Sequence, residues 1–150
     1  MIRPLARTDA EACDAIVAGL PDWFGLEEGI REAAAAVRAH EGLVAEEGGV
    51  VIGFLTLVDP YPTTSEISWM AVRADRRRTG VGRELLEAAA DRLRSRGVRI
   101  LTVKTLSDRA DPGPEYAQTR AFYLACGFVP VAELDIWGPQ NPCQLLARPI

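Results

Sequence analysis

The sequence predicts an α/β (α+β) domain, with a sheet of about seven strands flanked by about four helices. Three observations predict it. An apolar run at 66–72 leads through Arg76-Arg77-Arg78-Thr79-Gly80-Val81-Gly82-Arg83 into a long helical pattern of Leu85, Leu86, Ala89, Ala90 and Leu93. Two apolar runs on either side of Glu47-Gly48-Gly49 have the pattern of a β-hairpin. The other short apolar runs alternate with helical patterns, and there is neither an internal repeat nor a dividing linker. Residues 1–150 are therefore expected to form one domain.

Taken in order, residues 1–5 read as a short edge strand. Thr8 or Asp9 can cap a helix running to about residue 19, with Ile16, Val17 and Leu20 on its inner side. The loop Pro21-Asp22-Trp23-Phe24-Gly25 carries two aromatics, which read either as a hydrophobic plug or as the wall of a substrate pocket. An alanine-rich helix follows at 26–39, then the hairpin strands 43–46 and 50–58. Gly53 weakens or bends the second of these strands, and Pro60 and Pro62 interrupt the chain beyond it. The strand at 66–72 is apolar on both faces near its end, hence central. The helix at 80–96 stops at Gly97, a favoured residue just past a helix end. Residues 98–105 form the next strand, with Ile100, Leu101 and Val103 as its core. A polar loop at 106–114 contains Asp111-Pro112-Gly113-Pro114, and a helix at 115–126 ends at Gly127. A strand at 129–136, a turn through Gly138-Pro139-Gln140-Asn141-Pro142 and a last strand at 144–147 complete the order β-α-α-β-β-β-α-β-α-β-β.

Composition narrows the function. No apolar stretch reaches membrane-spanning length, and Met1-Ile2-Arg3-Pro4 does not begin a signal peptide. Cys13, Cys126 and Cys143 are odd in number and lack metal-ligand spacing, so they read as reduced thiols of a cytoplasmic protein with no metal site. His40 is the only histidine, which excludes a histidine-based triad. Residues 73–109 hold eleven of the 17 basic and five of the 21 acidic residues. One surface should therefore attract an anion and another a cation. The basic block is short and the net charge is −4, a poor fit to nucleic-acid binding.

The stretch at 76–83 carries its own chemistry. Gly80 and Gly82 let backbone approach a ligand and take positive φ. The first N–H groups of the following helix have no intrahelical partner, and the positive end of the helix dipole lies behind them. Such a turn suits phosphate, and the arginines add charge for a multiply anionic ligand. A solvated basic loop whose glycines only make the turn has the same composition.

Three patterns resemble the GNAT superfamily of N-acetyltransferases. Its turn Q/R-x-x-G-x-G/A is matched by Arg77-Arg78-Thr79-Gly80-Val81-Gly82. A tyrosine four residues before Gly-Phe is matched by Tyr123 with Gly127-Phe128. A strand with an early Glu and a small apolar end is matched by Glu66-Ile67-Ser68-Trp69-Met70-Ala71-Val72. The match in detail covers residues 65–130. The resemblance implies a mixed, mostly antiparallel sheet splayed at two central parallel strands, with acetyl-CoA as donor and co-substrate. It places the CoA pyrophosphate on the turn around Arg78, Thr79, Gly80, Val81 and Gly82, with Arg77 and Arg83 as side-chain helpers. Pantetheine would pair with backbone at Met70, Ala71 and Val72. Pairing of two copies through the C-terminal strands is also common in that superfamily.

Acyl transfer to an amine needs two proton events: the ammonium loses a proton before attack, and the departing thiolate gains one. Tyr123 suits the second. It shares a helix side with Tyr116, Thr119 and Arg120, while Phe122 and Cys126 read as core; a buried, packing tyrosine is the competing reading. Glu66 suits the first event, against the reading of a solvated strand end. The superfamily often has Asn and Ala where this chain has Tyr116 and Thr119, and Arg120 is then a candidate for the CoA phosphates. No cysteine stands where a covalent relay is expected. The sequence thus predicts direct acetyl transfer to a primary amine of a small molecule or peptide. The acidic Asp22, Glu27 and Glu28 favour a cationic acceptor. A non-catalytic CoA-binding sensor or interaction module on the same fold is the alternative.

Overall fold

The computed structural model describes residues 1–110 and 113–150. The expected polar loop at 106–114 lies partly outside this range, at Asp111 and Pro112; a single-turn helix, Asp108–Ala110, opens it. The strands are β1 (Ile2–Pro4), β2 (Glu41–Glu47), β3 (Val50–Tyr61), β4 (Thr64–Val72), β5 (Ile100–Leu106), β6 (Val129–Leu134) and β7 (Cys143–Pro149), and the helices are α1 (Ala10–Ala18), α2 (Glu27–Ala39), α3 (Val81–Ser95) and α4 (Pro114–Ala125). The strands form one seven-stranded sheet in the order β1-β2-β3-β4-β5-β7-β6. Its only parallel pair, among the described residues, is β4 with β5 at the centre.

Strand alternation divides the core. Leu43 and Ala45 of β2 join Leu85, Leu86, Ala89 and Leu93 of α3 on one face of the sheet. Val44, between them, joins Cys13, Ile16 and Val17 of α1 and Ala33 and Val37 of α2 on the other. Gly53 is a point of close approach between β3 and α3. A Cβ there would stand 3.2 Å from Val81 Cγ1 and 3.3 Å from Leu85 Cδ1, so its absence lets α3 lie down on β3.

Several boundaries differ from expectation. Pro60 does not end the hairpin strand. β3 continues to Tyr61 across a register shift, where a missing N–H costs no ladder bond. β6 stops at Leu134, whereas β7 extends to Pro149 because it pairs with β5 along its whole length. Ile100 is not core: it is 43% exposed, because alternation turns Leu101, Val103 and Thr105 inward and leaves Ile100 outside.

Neither Thr8 nor Asp9 caps α1 with its side chain. Asp9 instead accepts from the Ala6 N–H at 2.8 Å and takes a bidentate pair from Arg3 at 2.8 and 2.9 Å. This ties β1 to the start of α1. The Arg3 hydrogen bond holds the Asp9 carboxyl below the usual carboxylate range, against the upward push of burial. A depressed folded-state value stabilises the fold above the unfolded value and is lost as pH falls through the folded one. Asp9→Asn is therefore expected to cost about 2 kcal/mol at pH 7, discounted for the partial exposure of Arg3. The gap from the parent protein should narrow as pH falls below about 4, read by urea unfolding across pH.

Candidate active site

A cleft of about 1600 Å³ opens where β4 and β5 part. The two strands pair only from Thr64↔Ile100 to Ile67↔Val103, although β4 runs on to Val72 and β5 to Leu106. The cause is local. In the β3–β4 ladder Thr56 faces Trp69 and Leu57 faces Ile67, so Ser68 is an extra residue, a bulge on β4. A bulge bends its strand and raises its twist. Here it acts one residue past the last β4–β5 pair, and the Ser68 hydroxyl is held at 2.7 Å from that of Thr56. Beyond it, β4 keeps β3 on one edge and presents the other to the cleft, while β5 pairs outward with β7. Met70, Ala71 and Val72 thus line the cleft on a strand edge with backbone groups to offer.

At one end of this edge lies the turn into α3. Arg78 has φ 61° and Gly80 φ 93°. A non-glycine residue at positive φ costs of order 1 kcal/mol, which surrounding structure must hold. Alternating hands of this kind turn successive N–H groups to one side, and the α3 N-terminus adds its own free amides. Arg77, Arg78, Gly80, Val81, Gly82 and Arg83 line the cleft. Thr79 does not: its hydroxyl donates to the Arg76 carbonyl and closes the turn. Arg73 and Arg76 are spent on Asp75 and Glu47, whereas Arg77 has no carboxylate partner among the described residues. Burial, then neighbouring Arg78, pushes the Arg77 guanidinium below its ordinary value.

Arg120 does not reach the cleft. Its guanidinium donates to the Leu106 carbonyl at 2.9 Å, ending β5. It shares a helix side with Tyr123 but is not among the residues that line the cleft.

Tyr123 is 6% exposed and is the buried residue of α4; it packs edge-on to Phe122 and Phe128. The helix side that Tyr123 shares with Tyr116, Thr119 and Arg120 is therefore core at this position, shared with Cys126, and Phe122, expected as core, lines the cleft together with Tyr123. The Tyr123 hydroxyl faces the Met70 sulfur at 3.9 Å across the cleft wall, a weak acceptor. Burial, helped by Cys126, pushes the phenol well above its ordinary value, so the proton stays on it.

Glu66 is on the cleft wall, where Lys104 Nζ approaches its Oε1 at 2.8 Å. The sequence reading missed Lys104 as a partner. Glu66 is registered with Thr102, so Lys104 is its diagonal neighbour, and only the strand register shows this. Also unforeseen is the joining of the Pro21–Gly25 loop to the turn: Arg77 Cζ stands 4.0 Å over the Trp23 ring. Phe24 packs on Trp69 with ring centroids 5.9 Å apart, and both aromatics of the loop line the cleft. Cys13, Cys126 and Cys143 are buried, and none lines the cleft.

The geometry has relatives among solved structures. A GNAT-family protein from Desulfovibrio desulfuricans superposes with TM-score 0.85 at 23% identity, covering 99% of this chain and 98% of that one. The ribosomal-protein-S18-alanine N-acetyltransferase of Escherichia coli gives 0.76 at 22%, covering 100% and 93%. An aminoglycoside 6'-N-acetyltransferase complexed with coenzyme A gives 0.77 at 17%, covering 99% and 96%. At these identities the likeness is one of fold. A search of curated proteins finds no match. The sequence profile of the Acetyltransferase (GNAT) family matches residues 9–128, spanning the turn, the splayed strand and the tyrosine helix, and the chain belongs to that family.

Proposed function

We propose that the chain transfers an acetyl group from acetyl-CoA to a primary amine, directly, with both substrates bound at once. The observation that carries this reading is the free edge of β4 beyond Ile67, which joins the positive-φ turn at one end to the Tyr123 hydroxyl along its course. The amides at Arg78, Gly80, Val81 and Gly82, with the Arg77 and Arg83 side chains, would hold a pyrophosphate. Met70, Ala71 and Val72 would take an extended amide chain as an added strand. A backbone N–H of the Met70–Ala71 segment would polarise the thioester carbonyl. The cofactor, when bound, supplies the activated acetyl group. Tyr123 holds a proton at its hydroxyl for the leaving sulfur.

Glu66 takes the acceptor's proton, directly or through water, with Lys104 fixing one carboxylate oxygen. An amine arrives mostly protonated at neutral pH, so a base matters most on the acidic side. In Glu66→Gln the acidic limb of the rate–pH profile is expected to move upward, with the deficit shrinking toward the amine's own pKa. A uniform loss at all pH would assign Glu66 to positioning.

The acceptor is a cation. Asp22, Glu28 and Glu32 line the cleft; Glu28 and Glu32 stand one helical turn apart on α2. Glu27 is not among the lining residues. Phe24, Trp69 and Trp137 supply apolar wall for the remainder of the acceptor. Release of CoA thiol from acetyl-CoA across a panel of amines tests the reading. Mono- and polycationic primary amines should release it, and neutral alcohols should not. Tight CoA binding with no thiol release from any amine would favour a binding module instead.

A further inference from the structure

We propose that Trp23 couples the phosphate turn to the acceptor wall, holding Arg77 for an oxyanion so that cofactor binding and ordering of the loop at 21–25 strengthen one another. The inference rests on the reading of the turn as the cofactor's phosphate site. The loop joins α1 to α2, and three of its tethers converge on Trp23. The indole Nε1 donates to the Glu115 carbonyl at 3.2 Å, in the first turn of α4. The Tyr116 hydroxyl donates back to the Trp23 carbonyl at 3.0 Å. The first bond pins the indole and the second the Trp23 backbone, and the indole face carries the Arg77 guanidinium at 4.0 Å. Next to it, Phe24 packs on Trp69 of β4 and lines the acceptor side of the cleft.

Arg77 differs from Arg73 and Arg76. Arg73 and Arg76 have carboxylates, whereas Arg77 has an aromatic face and the like charge of Arg78 beside it. A guanidinium resting on a ring loses part of its hydration but none of its N–H donors, so it is poised for an oxyanion arriving at its edge. An anion that fixes Arg77 also fixes the surface on which Arg77 rests. Through Trp23 that surface is the loop bearing Asp22 and Phe24. Linkage is reciprocal: whatever the anion adds to the order of the loop, the ordered loop adds to the affinity for the anion. Trp23 is thus a positioning residue, acting through Arg77.

The test is a double-mutant cycle on CoA affinity, read by calorimetry, with hydrogen exchange of the 22–25 amides as a second readout. Trp23→Leu should weaken CoA about 5-fold and Arg77→Ala about 10-fold, and the double variant should be no weaker than Arg77→Ala alone. CoA should slow loop exchange in the parent protein and in neither single variant. Trp23→Phe, which keeps a ring face, should hold CoA within about 2-fold of the parent. Independent, multiplying losses in the double variant would overturn the proposal, as would loop protection by CoA that survives in Arg77→Ala. Failure of the parent protein to bind CoA at all would instead remove the phosphate-site reading, and the coupling with it.

Discussion

Tyr123→Phe is expected to lower turnover about 100-fold while leaving acetyl-CoA affinity and stability nearly unchanged. Removing a buried hydroxyl usually strands its partner, at a cost of about 1–3 kcal/mol. Here the partner is the Met70 sulfur at 3.9 Å, which loses little. The ring contacts with Phe122 and Phe128 persist in phenylalanine. The substitution therefore isolates the proton. Its effect should appear in kcat, because a leaving group gains its proton only as the bond breaks. The upward push on the phenol adds a second expectation. A proton held that firmly is not lost in the mildly alkaline range, so the parent enzyme should show no alkaline limb from Tyr123 below about pH 10. Turnover within a factor of two of the parent would make Tyr123 a packing residue.

Gly82→Glu is expected to weaken acetyl-CoA at least about 10-fold beyond the effect of Gly82→Ala, equivalent to about 1.4 kcal/mol. The alanine control is required by the packing. A Cβ at Gly82 would stand 3.0 Å from Phe122 Cζ and 3.3 Å from Met70 Cε, so any side chain there displaces the cleft wall. Alanine measures that displacement. Its folding cost is partly offset by the better helix propensity of alanine, about 1 kcal/mol. Glutamate adds a negative charge within the first turn of α3, where the free amides and the dipole favour a bound anion. Equal losses in the two variants by calorimetry would mean that Gly82 matters for packing alone, and that the pyrophosphate is held elsewhere.

Much of this protein is decided by short-range chemistry and is legible in the chain. Gly80 and Gly97 bracket α3 because each takes a positive φ, which glycine adopts without steric cost. Glu47-Gly48-Gly49 makes a hairpin for the same reason. The element order, the glycine turn into α3 and the placement of Tyr123 relative to Gly127-Phe128 follow from spacing along one helix or one turn. What the tertiary structure alone decided is how separate elements meet. The bulge at Ser68 inverts the facing of β4, so that Met70 meets Tyr123 while Trp69 meets Phe24; an even alternation from Ile67 would have exchanged them. The pair of Glu66 with Lys104 depends on the β4–β5 register, and the removal of Arg120 to the end of β5 depends on how α4 lies across the sheet. Trp23 comes under Arg77 only because a loop far from it in sequence is pinned to α4. Periodicity fixes which way a side chain points from its own element. Contacts between elements depend on register and docking, which are set by the packing of the whole core, and no single stretch of the chain encodes them.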